Sequence, residues 1–477
     1  MVLLFLVNCI GQEGNYELIA LKRLNVAGSD GNSYTGEMGR IKVPENRNSS
    51  TSKFIELPFF RLKTEHTDPF PPIFIFEGGP GDNPSALQRL NEFIPLLKQF
   101  SARSDVVLIE QRGNGGAEPR LSCPETLQLP LDAPLNIEAF SAIYKAYMSE
   151  CSEYWQGLGR NLRGYNVISM ADDVEAVRKA LSYKKIMLFG GSFGSHHALT
   201  YVKRYPENVE RILLDSPEGL THTVKLPYTA DKKLAQLSEL VTGDSILSVE
   251  IPSFTDLVNH ILDKLEKAAI TVKTRHPLTN EVVDIVLGKL DLQFVTAQVL
   301  GRRQYRELPY HYLQMKKGDY SWLASRAIGL RVSRAESLMA ALTDNASATA
   351  SKRREMVKLQ KQDAILGDAL NNVIFDVMDV LPIMDISKEL NQNFKSDIPI
   401  LIICGSQDVR TPVDNAWEIM EDFKNSRLVI VQHGSHDLFR EALDLLLPIM
   451  KGYLAADSPL EYKVPAMVVA PLNLRVK

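Results

Sequence analysis

The sequence predicts a three-layer α/β sandwich, with a mostly parallel central sheet between helices and a large helical cap inserted in the chain. Three observations carry this. Short β-branched runs are apolar on both faces, as in a buried parallel sheet. Helical patterns alternate with those runs, which is the order that right-handed crossovers require. One long stretch, residues 217–395, abandons the alternation for consecutive helical segments. At 477 residues the chain also exceeds what a single core usually serves. The expected division is a leader over 1–15, core over 16–216, cap over 217–395 and core again over 396–477.

In chain order, residues 2–7 form the most apolar run, and Leu6-Val7-Asn8-Cys9 is a poor version of a lipoprotein box. No positive segment precedes it, as a signal peptide requires. The expectation is a truncated export leader, for a periplasmic, secreted or lipid-anchored protein, with a cytoplasmic protein as the alternative. Period-two alternation over 16–26, 40–43 and 54–62 predicts antiparallel edge strands. Strands follow at 73–76, 106–109, 185–189, 211–214, 398–404 and 428–431. Between them, helices are predicted over 85–100, 169–181 with Ser169 as N-cap, and 194–205. After the cap come 412–423 with Thr411 as N-cap and Pro412 in the first turn, and 438–450 with Asp437 as N-cap. Within the cap, 253–267, 290–301 and 322–342 read as helices, and the charged stretch at 352–358 as a solvated helix face.

Cys123 and Cys151 bracket a proline-rich loop leading into a helix over 137–154. A disulfide closing that loop contributes roughly 3 kcal/mol in the chain-entropy model and implies an oxidising compartment. Cys404 lies in an apolar run and reads as a small buried hydrophobe.

Composition narrows the function. Lys and Arg total 54 against 58 Asp and Glu, a net charge of −4, so the basic footprint of a nucleic-acid binder is missing. No stretch reaches the ~18 apolar residues that span a bilayer. No Cys or His spacing suggests a zinc site, and no metal or cofactor is expected. The oligomeric state is not legible.

The chemistry concentrates in Gly190-Gly191-Ser192-Phe193-Gly194, a G-x-S-x-G pattern placed between a strand and a helix. Small neighbours at 190 and 194 let Ser192 adopt the sharp turn that points its hydroxyl into the cleft. Serine needs a general base to attack, and in this architecture the acid and then the histidine come later in the chain. Asp408, after the strand at 398–404, is the acid candidate, with Asp215 its rival. His436, after the strand at 428–431, is the preferred base over His433. His196 and His197 read as packing residues, and Asp414 as a helix-dipole acid. Two oxyanion donors are needed: the Phe193 N–H and a glycine N–H from Gly78-Gly79-Pro80-Gly81, since Pro80 has none.

These motifs, with Glu110-Gln111-Arg112-Gly113-Asn114-Gly115, Gly405-Ser406-Gln407-Asp408, Thr411-Pro412-Val413 and Gly434-Ser435-His436, resemble α/β-hydrolases of the prolyl and tripeptidyl aminopeptidase group of serine peptidases. The similarity covers about 40–220 and 396–450. It implies Ser192 as nucleophile, Asp408 as acid, His436 as base, and Gly79 with Phe193 as oxyanion donors. Secreted members commonly pair cysteines at positions similar to Cys123 and Cys151. Prolyl enzymes usually carry His where this chain has Glu77, which weakens the expectation of strict proline preference.

An aminopeptidase must also grip the substrate's α-ammonium with carboxylates. Glu336 resembles an acidic cap position of the family, although Arg334 replaces its cysteine, and Glu218 and Glu77 are further candidates. The expected activity is release of N-terminal residues from a peptide. An esterase or amidase acting on a small acyl substrate is the alternative, and a hydrolase-fold binding protein a third reading.

Overall fold

Apolar residues on both faces place the central strands between two helix layers in a computed structural model that describes residues 16–81, 84–332 and 336–474. The strands are β1 (Glu17–Ala27), β2 (Ser33–Pro44), β3 (Phe54–Leu62), β4 (Phe70–Phe76), β5 (Ser104–Ile109), β6 (Ile186–Ser192) and β7 (Val209–Pro217). After them come β8 (Ile270–Arg275), β9 (Val282–Leu287), β10 (Ile400–Gly405), β11 (Ser426–Gln432) and β12 (Met467–Val469). Ten of them form one sheet in the order β1-β2-β3-β5-β4-β6-β7-β10-β11-β12. β1, β2 and β3 are antiparallel, as is the β3–β5 pair, and every pairing from β5 to β12 is parallel.

The two faces of the sheet bury different helices. Phe74, Phe76, Leu188, Ile212, Leu214 and Ile402 pack with the helices Val167–Ala180, Phe193–Arg204 and Val413–Met420. Their neighbours Ile73, Met187, Phe189, Leu213, Leu401 and Ile403 pack with Leu90–Phe100 and Leu443–Ala455. This period-two division gives the third layer. Because the chain passes from β4 out to β5 and then back to β6 on the other side, strand order reverses beside β4. Ligands bind at such a switch point, outside the carboxyl ends of the strands.

Between β7 and β10 the helices Tyr228–Gly243, Phe254–Lys267, Lys289–Leu300, Leu308–Lys316 and Ser321–Arg331 share a core of their own. Several predicted boundaries shift. The 322–342 segment is two helices, Ser321–Arg331 and Leu338–Ala348, and the expected all-helical insertion contains the antiparallel β8–β9 hairpin. The predicted helix at 85–100 starts only at Leu90. Asn166, not Ser169, caps its helix, its side chain accepting from the Ser169 N–H. Asp437 caps nothing with its side chain, because its carboxylate is taken by Arg302 and the Arg303 N–H. The helix beyond it is broken into Leu438–Glu441 and Leu443–Ala455.

Cys123 and Cys151 are joined as a disulfide, tying the loop to the helix Ile137–Gly157, while Cys404 is free and buried. The charged stretch forms the helix Arg353–Gln360, whose Arg353 is buried against Glu418 at 2.8 Å. No helix among the described residues is long and apolar enough to cross a membrane. The leader expected over 1–15, including Cys9, lies outside the described residues, as does Arg334.

Candidate active site

Ser192 ends β6 with φ 54° and ψ −128°, a conformation L side chains adopt only when the surroundings impose it. A side chain at Gly194 would run into the Phe76 carbonyl, and one at Gly190 into the Gly194 carbonyl, so both glycines let the turn close. The hydroxyl is thereby held at the N-terminus of the helix Phe193–Arg204.

Two neighbouring strand ends complete the constellation. The Ser192 hydroxyl lies 2.9 Å from His436 Nε2, and His436 Nδ1 donates to Asp408 Oδ2 at 2.8 Å. Asp408 is fully buried and receives three more hydrogen bonds. Its Oδ1 accepts from the Arg410 and Thr411 N–H groups at 2.8 and 3.0 Å, and its Oδ2 from the Thr411 hydroxyl at 2.7 Å. Burial pushes the carboxyl up, but His436 and these donors outweigh it and hold Asp408 below the ordinary aspartate value. Thr411 was expected to cap the next helix. Pro412 occupies the cap position instead, and Thr411 spends its hydroxyl on the acid.

The rival groups have other surroundings. Asp215 lies two residues before the end of β7, paired with Gly191, and makes no hydrogen bond to either histidine among the described residues. Burial, and then the charge of Asp408, push its carboxyl up to about 8, so it is mostly protonated at neutral pH. His433 sits at φ 63°, and its carbonyl accepts from Tyr305 and Arg306. Its ring Nδ1 is buried with no hydrogen-bond partner among the described residues. His196 bridges the Gly219 carbonyl and Ser347, and His197 packs edge-on against Phe76. Both are buried, and burial lowers both pKa values, His197 to about 4.

The loop after β4 comes against the serine: Gly78 faces the Ser192 Cβ, and Gly79 has φ 108° with a cis bond to Pro80. Gln111 braces the loop. Its Nε2 donates to the Glu77 and Gly78 carbonyls, and its Oε1 accepts from the Gly81 N–H at 2.9 Å. Beside it, the buried Arg112 forks onto Asp173 at 2.7 and 2.8 Å and donates to the Glu45 and Gly164 carbonyls. These roles gave no signal beyond the motif, because both partners lie far away in the chain.

The three candidate amine-binding carboxylates differ. Glu218 is buried, with Thr223 on Oε1 and Lys225 on Oε2 at 2.5 Å. Although burial opposes ionisation, Lys225, His196 and Thr223 bring its carboxyl down to about 2. Its charge is therefore already matched within the fold. Glu77 lines the space in front of Ser192 and accepts from the Ala86 N–H. Glu336 sits at the start of the Leu338–Ala348 segment, its N–H donating to Tyr147 and its carbonyl accepting from Cys123.

Several known proteins are similar to this chain. A 24% identical match over 186 residues links the chain to the serine protease Hip1 of Mycobacterium tuberculosis and Mycobacterium bovis, covering 37% of this chain and only 35% of those proteins. Among solved structures, an esterase from Thermogutta terrifontis is similar at 11% identity and a TM-score of 0.37, covering 91% of this chain and 98% of that one. Epoxide hydrolases from hot-environment metagenomes are similar at 14% identity and a TM-score of 0.38, with coverage of 92% and 99%. The family described as the alpha/beta hydrolase fold matches residues 71–443, most of the sequence. With that match and the parallel sheet carrying a serine at the β6 turn, the chain belongs to the α/β-hydrolase family.

Proposed function

We propose that the protein is a serine hydrolase that releases N-terminal residues from peptides through an acyl-enzyme. The observation that carries the reading is the unbroken path Ser192–His436–Asp408, with bonds of 2.9 and 2.8 Å. His436 takes the Ser192 proton as Oγ attacks the scissile carbonyl, and Asp408 stabilises the imidazolium so formed. The negative oxygen is received by the Phe193 N–H, at a helix start, and by the Gly79 N–H. His436 then gives its proton to the leaving amine, and water, activated the same way, releases the acyl group.

The peptidase reading is supported by the motif resemblance and the protease similarity over 186 residues. Glu336 and Glu77 are the carboxylates we assign to the substrate ammonium, Glu336 from the motif resemblance and Glu77 because it lines the cavity at Ser192. The Cys123–Cys151 disulfide supports an exported protein. Esterase activity is the second reading, favoured by the apolar character of the cavity at Ser192. Aminoacyl and tripeptidyl anilides, free and N-acetylated, test the choice. The expected result is cleavage that acetylation abolishes; ester hydrolysis with no anilide cleavage would contradict the peptidase reading.

A further inference from the structure

A cavity of about 310 Å³ opens at the Ser192 hydroxyl and His436 and runs under the Gly78 loop. Its walls are mostly apolar, with Phe93, Leu96, Leu97 and Phe100 of the helix Leu90–Phe100, Phe189 of β6 and Phe439 just beyond His436, while Glu77, Arg89, Asp215 and Ser216 also line it. Ile75 and Leu108 pair in register at its inner end, and Ile75 also faces Phe189. From Ser192 back to Phe189 is three residues of strand, a depth of about 10 Å. Leu108 and Phe100 are buried, so the inner end of the cavity lies in the layer between sheet and helix. Every described residue lining it comes from β4 to β7, the helix after β4 or the segment after β11, and none from the helices between β7 and β10.

We infer that this cavity is the binding pocket for an apolar acyl group, and that the core, not the inserted helices, sets acyl selectivity. The inference rests on Ser192 being the nucleophile. A pocket that reaches into the core suits the acyl part, which stays bonded to Ser192 Oγ through the acyl-enzyme, because a polypeptide leaving group needs an open path. In peptide terms the occupant is the large apolar side chain of the residue whose carbonyl is attacked. In ester terms it is a medium-length acyl chain. A dry apolar cavity of roughly 150 Å³ takes benzene, so this one takes on the order of eight to twelve carbons. Phe93 and Leu96 are only partly covered and form the outer wall, with Arg89 stacked on the Phe93 ring at 4.9 Å.

The test is a series of p-nitrophenyl esters, from acetate through octanoate to palmitate, with active sites counted by a small fluorophosphonate. Each buried methylene favours binding by up to about fourfold. Octanoate is therefore expected to exceed acetate in kcat/KM by at least about 30-fold, with a fall at palmitate. Leu96→Trp narrows the pocket and should cut the octanoate-to-acetate ratio at least tenfold. Phe93→Ala, on the helix surface, should move the optimum to a longer chain and serves if the tryptophan variant does not fold. Stoichiometric labelling with a flat chain-length profile would overturn the pocket and leave the hydrolase reading standing. A gain that follows the length of the alcohol, tested with alkyl acetates, would overturn the acyl assignment. No labelling at Ser192 would overturn both.

Discussion

Replacing Asp215 with asparagine tests the electrostatics of the site and the choice of acid together. Its carboxyl is pushed up to about 8 in the fold, first by burial and then by Asp408, against an ordinary value of 3.8 when unfolded. Between those values the folded chain binds more protons than the unfolded one, so stability falls as pH rises through the window and levels off above about pH 8. Each pH unit inside it is about 1.4 kcal/mol, which makes the loss from pH 5 to pH 7 about 3 kcal/mol. Asparagine, close in shape to the neutral acid, escapes that loss. With an unfolding entropy of about 2.1 cal/mol/K per residue over 477 residues, 3 kcal/mol is about 3 °C in Tm. Thermal scans of wild type and Asp215→Asn at pH 5 and pH 7 should show the variant's advantage growing by that amount. An advantage equal at both pH values would refute the raised pKa. Activity supplies the second readout: because Asp408 holds His436, kcat/KM should fall less than about tenfold, whereas a loss near 10³–10⁴ would make Asp215 the acid.

Asp408→Asn should lower kcat by about 10⁴ with little change in KM, since the amide favours the wrong imidazole tautomer; steady-state kinetics read this directly. Wild-type kcat/KM should fall on acidification, as a general-base mechanism requires, with Asp408, held below the usual aspartate value, remaining ionised through the fall; a profile flat from pH 5 to pH 9 would contradict the base assignment. Gln111→Ala frees the loop that carries Gly78 and Gly79, and should reduce kcat about 10- to 100-fold while leaving Tm within about 2 °C, as measured by paired kinetics and thermal scans. Replacing Cys123 and Cys151 with serine should lower stability by roughly 3 kcal/mol, read by denaturant titration.

The parallel strands and the turn at Ser192 were legible because both are local signals: apolar runs of strand length, and two glycines flanking a serine. Asp408 and His436 could be read only through chain order, and distance separates them from Asp215 and His433 where sequence left the pairs open. Caps were misread where two capping residues stand close together. Asn166 and Ser169 have similar propensity, and the Asn166 side chain takes the Ser169 N–H. Thr411 lost its expected cap to Asp408, three residues before it, and Asp437 lost its own to the distant Arg302 and Arg303. The β8–β9 hairpin showed its period-two exposure in Ile270–Arg275, but the surrounding helical rhythm masked it. Gln111 and the apolar cavity needed coordinates, because each depends on what folds against it from elsewhere in the chain.

In the proposed mechanism one serine carries the acyl group. Rapid-mixing kinetics with a p-nitrophenyl ester, followed by acid quench and peptide mass mapping, addresses it most directly. A burst of about one p-nitrophenolate per chain and an acyl adduct on the peptide holding Ser192 are expected, both lost in Ser192→Ala. Undiminished turnover in Ser192→Ala, or an adduct on another residue, would contradict it.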